Sequence, residues 1–341
     1  MSTAQAGPAA LQVRVAVRDF LTDPEHAPLL GSGVLGVGVS GGADSLALAD
    51  AVAHVCGNMD LTVVALVVDH GVQPGSAVVA RDAVAAAMAL GVDDARVLTV
   101  EVTGRGGPEA AARRARYAAL SCALPGDALI LLGHTLDDQA ETVLLGLGRG
   151  SGPRSVAGMR ALDPPWGRPL LGIPRTLTQQ ACAELGVKPW FDPHNADPRF
   201  TRVRLRAEVL PLLEEVLRGG VAGALARTAA HLREDLEALD QIAAEILDRA
   251  RTGSSDIPEL AVDVLKPTPP AVRRRVLRRW LLDAGARDLT DLHLRGVDAL
   301  IGRWRGQGGM CLPGGLVVSR SHGRLHVQVH RAGPAHTGGG S

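Results

Sequence analysis

Short apolar runs alternate with alanine-rich stretches of helical period over the first two thirds of the chain. Residues 34–39, 61–68, 96–102 and 128–133 are mostly apolar, as strands of a parallel sheet covered on both faces should be. Residues 46–55, 78–90 and 109–123 lie between them with apolar positions at helical spacing. This βαβα alternation predicts an α/β fold built on a doubly wound parallel sheet, with its ligand at the carboxyl ends of the strands. From about residue 207 the pattern turns helical, over 207–251, 271–283 and 289–303, with a Pro- and Gly-rich break before the second helix. Residues 316–320 and 324–329 read as a β-ribbon turning at Ser321-His322-Gly323. The expected organisation is an α/β domain over 1–216, a smaller, mostly helical domain over 217–330 ending in the ribbon, and a disordered Gly-rich tail over 331–341.

Composition narrows the class without choosing a function. The 341 residues hold 46% hydrophobic side chains, enough for two cores, and Lys+Arg 36 balances Asp+Glu 36. Only Lys188 and Lys266 are lysines, so the basic charge is almost all arginine. Neutrality excludes a uniformly basic nucleic-acid coat but leaves room for local basic patches. Cys56, Cys122, Cys182 and Cys311 form neither a CxxC pair nor a zinc spacing, and read as reduced cytosolic thiols. No apolar run is long enough to span a membrane and residues 1–10 do not resemble a secretory signal, so a cytoplasmic location is expected.

Three glycine patterns compete near the first strand. Gly31-Ser-Gly33-Val-Leu-Gly36 precedes the strand and cannot place amides at a helix start. Gly36-Val-Gly38-Val-Ser-Gly41, with Asp69 ending the next strand, leaves a dinucleotide reading open. Neither lysine follows a glycine as a Walker A loop requires. Ser40-Gly41-Gly42-Ala43-Asp44-Ser45 falls between strand and helix, where amides and helix dipole favour a pyrophosphate. Its serines add hydroxyl donors and Asp44 can hold Mg²⁺, unless Asp44 merely caps the helix.

Further segments carry chemistry-bearing residues. Val68-Asp69-His70-Gly71 ends the second strand, followed by Ser76. Glu109, Arg113, Arg116 and Tyr117 share one helical face, as a solvated salt-bridge row or as a cationic edge to the sheet. The block from Gly133 to Thr142 contains His134, Thr135, Asp137, Asp138, Gln139 and Glu141, and it runs on to Arg149-Gly150-Ser151-Gly152. Ala140, Val143, Leu144 and Leu147 make its apolar stripe, while Asp137, Asp138 and Glu141 take another face. Thr135 and Asp138 also fit a capping box, although three acids are more than a cap needs and suit a small cation or Mg²⁺. Arg168-Pro169-Leu170-Leu171, Arg175, the stretch from Phe191 to Asp197, and Arg199, Arg202, Arg204 and Arg206 follow. Arg273, Arg274, Arg275, Arg278 and Arg279 form a basic helical stretch, suited to phosphates or simply solvated. Trp280 and Trp304 are expected in the core.

The Ser40–Ser45 string resembles the PP-loop of ATP pyrophosphatases. The ordered succession over 34–211, with Leu312-Pro313-Gly314-Gly315 near the end, is similar to the tRNA(Ile)-lysidine synthase family. Thr135, His194 and Val203 depart from that family's usual histidine, serine and asparagine. The resemblance implies ligation of free L-lysine to C2 of the wobble cytidine of tRNA(Ile) with a CAU anticodon. The reaction would run through an adenylated cytidine, consume ATP with Mg²⁺, and switch decoding from AUG to AUA. It implies catalytic roles for Asp44, Arg113, Asp137, Asp138 and Glu141, with Mg²⁺ on Asp44 and Asp138. Nucleotide contacts would come from Ser40, Gly41, Gly42, Ala43, Asp44, Ser45, Gly133 and His134. Contacts to tRNA would come from Arg202, Arg204, Arg206, Arg273, Arg274 and Arg275. A homodimer also fits the family. A PP-loop tRNA thiolase and a noncatalytic nucleotide-binding module are the alternatives; the missing CxxC weighs against the first and the intact acids against the second.

Overall fold

The computed structural model describes residues 6–71, 75–102, 108–126, 128–150, 152–192, 197–252 and 259–329. The expected tail at 331–341, Ser151, His194 and the side chain of Glu109 lie outside them. In chain order the helices are α1 (Pro8–Leu21), α2 (Ala43–Cys56), α3 (Ser76–Ala89), α4 (Pro108–Ser121), α5 (Leu136–Arg149), α6 (Pro153–Val156), α7 (Arg175–Glu184), α8 (Thr201–Arg204), α9 (Leu210–Val216), α10 (Val221–Ala250), α11 (Val262–Leu265), α12 (Pro270–Asp283) and α13 (Asp291–Gly302). The strands are β1 (Val34–Val39), β2 (Thr62–Asp69), β3 (Asp94–Thr99), β4 (Ile130–Leu132), β5 (Leu162–Asp163), β6 (Trp166–Gly167), β7 (Arg251–Thr252), β8 (Glu259–Ala261), β9 (Met310–Leu312), β10 (Leu316–Ser321) and β11 (Arg324–Val329). The chain divides into two compact units, with the division between residues 232 and 233, inside α10.

In the first unit, among the described residues, six strands form one sheet in the order β3-β2-β1-β4-β6-β5. Every pairing is parallel except that of β5 with β6. Period-2 alternation splits the strands between two cores. Leu35, Val37, Val39, Val63, Ala65, Val67, Leu129 and Leu131 face α1, α2, α3 and α7. Val64, Leu66, Ile130 and Leu132 face Leu120 and Leu124 at the end of α4. Gly36 matters here, because a Cβ there would stand 2.8 Å from the Leu124 side chain.

Helix α1, on which the sequence pattern placed nothing, buries Ala9, Ala10, Val13, Val17, Phe20 and Leu21 along one stripe. Distant partners hold it. Arg14 makes a two-point ion pair with Asp50 of α2 at 2.9 and 3.0 Å. The Glu184 carboxylate at the end of α7 accepts the Ala9 and Ala10 amides at 3.2 and 2.9 Å, satisfying donors that a helix start leaves open.

The second unit packs α12 and α13 with the end of α10 around Trp280, Leu277, Leu281, Val297 and Leu300. Where a two-stranded ribbon was expected, the described residues form a five-stranded sheet in the order β7-β8-β11-β10-β9. The expected turn joins β10 to β11, with His322 and Gly323 at φ 47° and 76°, the left-handed pair a two-residue hairpin needs. Trp280 is buried as expected. Trp304 is not: α13 stops at Gly302, and the indole lies beyond it, 37% exposed.

Candidate functional site

The glycine loop leaves β1 and enters α2 at the carboxyl edge of the sheet. Gly41 sits at φ +80°, a conformation side chains resist. The Ser45 hydroxyl donates to the Gly42 carbonyl at 2.9 Å and accepts the Ser40 amide at 3.1 Å. The Gly41 carbonyl accepts the Trp190 amide at 2.9 Å, fixing the loop from outside. No side chain caps α2 at Gly42, and such a helix start favours an anion. Gly133, after β4, passes so close that a Cβ there would meet the Asp44 carbonyl oxygen at 2.9 Å. Only glycine lets the two strand ends meet at Asp44 without a shift of backbone.

Asp44 does not cap its own helix with its carboxylate. That group turns to α7, accepting from Arg175 Nε at 3.1 Å and from the Thr178 hydroxyl. Burial pushes its pKa upward, with the neighbouring Asp138 adding to the rise, against the lowering effect of Thr178 and Arg175. The same guanidinium reaches Asp138 Oδ1 through Nη2 at 2.7 Å and Glu141 Oε1 through Nη1 at 3.7 Å. The Arg175 backbone amide also donates to Asp137 Oδ2 at 2.8 Å, so Asp137 caps α7. One residue thus touches all four acids of the loop and α5.

Asp138 caps its helix with one oxygen and meets an arginine with the other. Its Oδ2 accepts the Thr135 amide and hydroxyl, each at 2.9 Å, completing the cap of α5, while Oδ1 faces Arg175. Burial pushes its pKa up, but Arg175, the Thr135 amide and His134 together hold it below the usual carboxylate value. Glu141 is fully buried; Oε1 accepts from Arg206 Nε at 2.8 Å and Oε2 has no partner among the described residues. Gln139 clamps the following loop instead, pairing its amide with the Met159 backbone at 2.8 and 2.7 Å.

Cations gather on the other side. Burial holds His134 below its ordinary pKa, with Arg168, Arg116 and Arg113 reinforcing the shift against Asp138. Burial does the same to His70, helped by Arg116. The Nδ1 atoms of both histidines are buried without a partner among the described residues. Exposed Arg113 donates to the Tyr117 hydroxyl at 3.0 Å, and Tyr117 packs edge-on against Trp166 at 4.7 Å. Arg116 is desolvated and shares its surroundings with Arg113 and Arg202.

The structure separates the arginines that the sequence grouped. Arg204 is exposed and paired with Glu208 at 2.9 Å, and Arg199 with Asp197 at 2.6 Å. Arg206, on a π-helical turn over Leu205–Val209, points to Glu141 and Asp138; such turns recur at functional sites. Arg273 corrects the surface expectation. It is 7% exposed, pairs with Asp298 at 2.6 Å and donates to the Thr268 carbonyl. Arg275 pairs with Asp240 at 3.1 Å, while Arg274 is half-buried.

Arg175 and Thr178 were not among the expected site residues. One local signal was available: an arginine opening a helix directly after Pro174, where the dipole disfavours a cation, needs acids nearby to hold it.

Comparison with known proteins identifies the relatives of the chain. The PP-loop domain family matches residues 12–213, and the TilS substrate binding domain family matches residues 260–326. The tRNA(Ile)-lysidine synthase of Rhodococcus jostii is 58% identical over 325 residues, covering 94% of this chain and 96% of that protein. Its Nocardia farcinica counterpart is 54% identical over 328 residues, with 95% and 99% covered. That of Mycobacterium tuberculosis is 59% identical over 276 residues, with 81% and 83% covered. Among solved structures, the U34-tRNA thiolase NcsA from Methanococcus maripaludis, with its [4Fe-4S] cluster, superposes with a TM-score of 0.54 at 20% identity. That match covers 66% of this chain and 80% of the thiolase, a likeness of fold.

Proposed function

The chain belongs to the tRNA(Ile)-lysidine synthase family, and we propose that its first unit carries out the ligation at the carboxyl edge of the parallel sheet. The enzyme is a C–N ligase that uses ATP to join L-lysine to C2 of the wobble cytidine of tRNA(Ile) with a CAU anticodon, giving lysidine, AMP and pyrophosphate. The observation that carries the reading is the convergence of phosphate-loop Asp44 with Asp138 and Glu141 of α5 on one guanidinium. An anion site and an acid-lined cation site stand side by side, as ATP and lysine require.

In the adenylation step, cytosine O2 attacks the α-phosphate and pyrophosphate leaves. The amides of Gly41, Gly42 and Ala43 and the hydroxyls of Ser40 and Ser45 receive the pyrophosphate at the start of α2. Arg113, at the His134 edge, offsets charge developing on the phosphate. Asp44 and Asp138 would hold Mg²⁺: both bind the same cationic group, at 3.1 and 2.7 Å, and an all-oxygen donor pair suits a hard divalent ion completed by phosphate and water. Mg²⁺ bound there would neutralise phosphate charge and favour in-line attack. Gly133 keeps Asp44 in reach of the loop, and neutral His134 lines the nucleotide side.

In the second step the uncharged lysine ε-amine attacks C2 and AMP leaves. Holding lysine in line is the residues' main contribution. Glu141 Oε2, buried and without a partner among the described residues, is the acceptor offered to the lysine α-ammonium, with Asp138 beside it. Asp137, by capping α7, keeps Arg175 between the acids. We assign catalysis to residues 1–216, with Arg202 also contacting the tRNA, and the main tRNA-binding surface to 217–330, with Arg274 among its contacts, and place the enzyme in the cytoplasm with its tRNA. The thiolase reading is weaker because relatives 54–59% identical over most of the chain are tRNA(Ile)-lysidine synthases, whereas the thiolase shares only the fold at 20% identity.

The test is incubation with ATP, lysine and unmodified tRNA(Ile) bearing a CAU anticodon. AMP release should depend on both lysine and tRNA, and Asp44→Ala should abolish it. Lysine-independent AMP release, or sulfur entering the tRNA, would overturn the assignment.

A further inference from the structure

The second unit carries a basic pocket that the arginine-rich helix of the sequence did not foretell. Lys266, Arg303, Trp304, Arg305 and Arg320 surround a hollow of about 420 Å³. Among the described residues none of these four cations is ion-paired with a carboxylate, whereas Arg199, Arg204, Arg273 and Arg275 each are. Uncompensated positive charge around a hollow attracts anions.

The pocket is also shaped. Arg320 stacks on the Trp304 indole, its guanidinium carbon 5.2 Å from the ring centroid. Its Nη1 donates to the Leu300 carbonyl at 2.9 Å, so the stack is anchored to the end of α13. Arg273 braces the rim from inside: held by Asp298, it donates to the Lys266 and Thr268 carbonyls at 3.4 and 3.2 Å. Trp304 still keeps 37% of its surface accessible. A large exposed aromatic among four unpaired cations is the combination that stacks a nucleobase and neutralises its phosphates.

We propose that this pocket binds an unpaired nucleotide of the tRNA substrate, with Trp304 as stacking platform and Lys266, Arg303 and Arg305 on the flanking phosphates. The proposal rests on the tRNA reading above and locates a contact within it. The hollow is of small-ligand size, room for one base with its phosphates, and a free mononucleotide shares that chemistry. The open rim of Arg303 and Arg305, both exposed, favours a strand that continues past the pocket.

The test uses the full chain and tRNA(Ile), measuring Kd against salt concentration and tryptophan emission. Removing one cation from a phosphate flattens the slope of log K against log salt by about 0.7 to 0.9. Arg303→Ala combined with Arg305→Ala should therefore reduce the slope by about 1.4 to 1.8. Trp304→Ala should weaken binding by about tenfold with little change in slope, and Trp304→Phe should restore most of it. Trp304→Phe should also remove most of the emission change on tRNA addition. Arg295→Ala, which removes an exposed arginine paired with Asp291, should bind as wild type, and unchanged thermal midpoints exclude misfolding. Wild-type affinity and slope in the double variant overturn the proposal. So does a Trp304-dependent emission change, absent in Trp304→Phe, that AMP alone reproduces at equal concentration, which would make the pocket a mononucleotide site. If wild type binds tRNA with these responses but makes no lysidine, the catalytic reading fails and the pocket stands. If lysidine forms while every variant binds as wild type, the pocket fails and the catalytic reading stands.

Discussion

Replacing Arg175 by leucine removes one cation from three carboxylates and leaves the backbone amide on Asp137 in place. Glu141 keeps Arg206 at 2.8 Å, and Asp138 keeps Arg206 at 3.5 Å together with the two Thr135 donors. Asp44 keeps only the Thr178 hydroxyl, and it then faces Asp138 with no charge between them. Breaking a buried ion pair by deleting one partner costs about 3–5 kcal/mol. The Asp44 side chain is 23% exposed, so water recovers part of that and the lower end, about 3 kcal/mol, applies. At about 2–4 °C per kcal/mol for a unit of this size, the thermal midpoint should fall by roughly 6–12 °C at neutral pH. Two dependences identify the cause. Burial already raises the Asp44 pKa, and loss of Arg175 raises it further, so the folded variant takes up a proton more readily than the unfolded chain. Its deficit should therefore narrow as pH falls from 8 towards 5. Millimolar Mg²⁺ should also restore the variant more than it stabilises wild type, because a divalent ion answers the same carboxylates. Calorimetric scans of both proteins, with and without Mg²⁺, test all three. A midpoint within about 1 °C of wild type, insensitive to Mg²⁺, would refute the view that Arg175 is the charge that holds this site together.

Gly133→Ala puts a methyl carbon 2.9 Å from the Asp44 carbonyl oxygen, backbone against backbone. It should destabilise by about 1–3 kcal/mol and weaken ATP binding measured by calorimetric titration, whereas Gly148→Ala, with open space at its Cβ, should do neither. His134 is held neutral by burial, its pKa below the ordinary 6.5. The unfolded chain takes up a proton that the folded chain refuses, so stability falls as pH drops below about 6.5. His134→Gln should flatten that part of the urea-measured stability profile, and an unchanged slope would show that the imidazole is not the group responsible. Burial pushes Cys56 and Cys182 up to about 11, while Cys122 and Cys311 are exposed. A thiol reagent at pH 8 should label two cysteines quickly in the native chain and four after denaturation; four fast thiols would contradict the buried placement.

The parts of the fold that were legible are those whose signals are local. The runs at β1, β2 and β4 announce buried parallel strands, and the glycines between β1 and α2 announce a tight anion-facing turn. Helix α5 shows its apolar stripe and acidic face in fourteen residues. What failed depended on distant partners. Helix α1 has a readable stripe, but its alanine-rich face becomes a stable helix face only against α2 and α7, through Asp50 and Glu184. Arg175 answers Asp44 and Asp138, 131 and 37 residues away, and no window of periodicity contains such a contact.

The arginines carry the stronger lesson, because the fate of each is set by its face and its partner. Arg273 could have been placed from the sequence: Val276, Leu277 and Trp280, at i+3, i+4 and i+7, are the buried face of α12, and a guanidinium in that row must find an acid inside. Asp298 supplies it. Arg202 and Arg206 share a face four residues apart, while Arg204 lies on another and pairs with Glu208; spacing alone divides that cluster. Density of basic residues therefore does not tell which charges are satisfied within the chain and which meet in the folded unit. It counts Arg204 and Arg273, whose charges are satisfied within the chain. It also passes over Lys266, Arg303 and Arg320, which are spread over more than fifty residues and meet only in the folded unit. The balance of 36 basic and 36 acidic residues conceals this sorting. Where charges are paired, they brace helices or orient the acids of the site, as Arg14, Arg273 and Arg175 do; the cations around Trp304 have no carboxylate among the described residues.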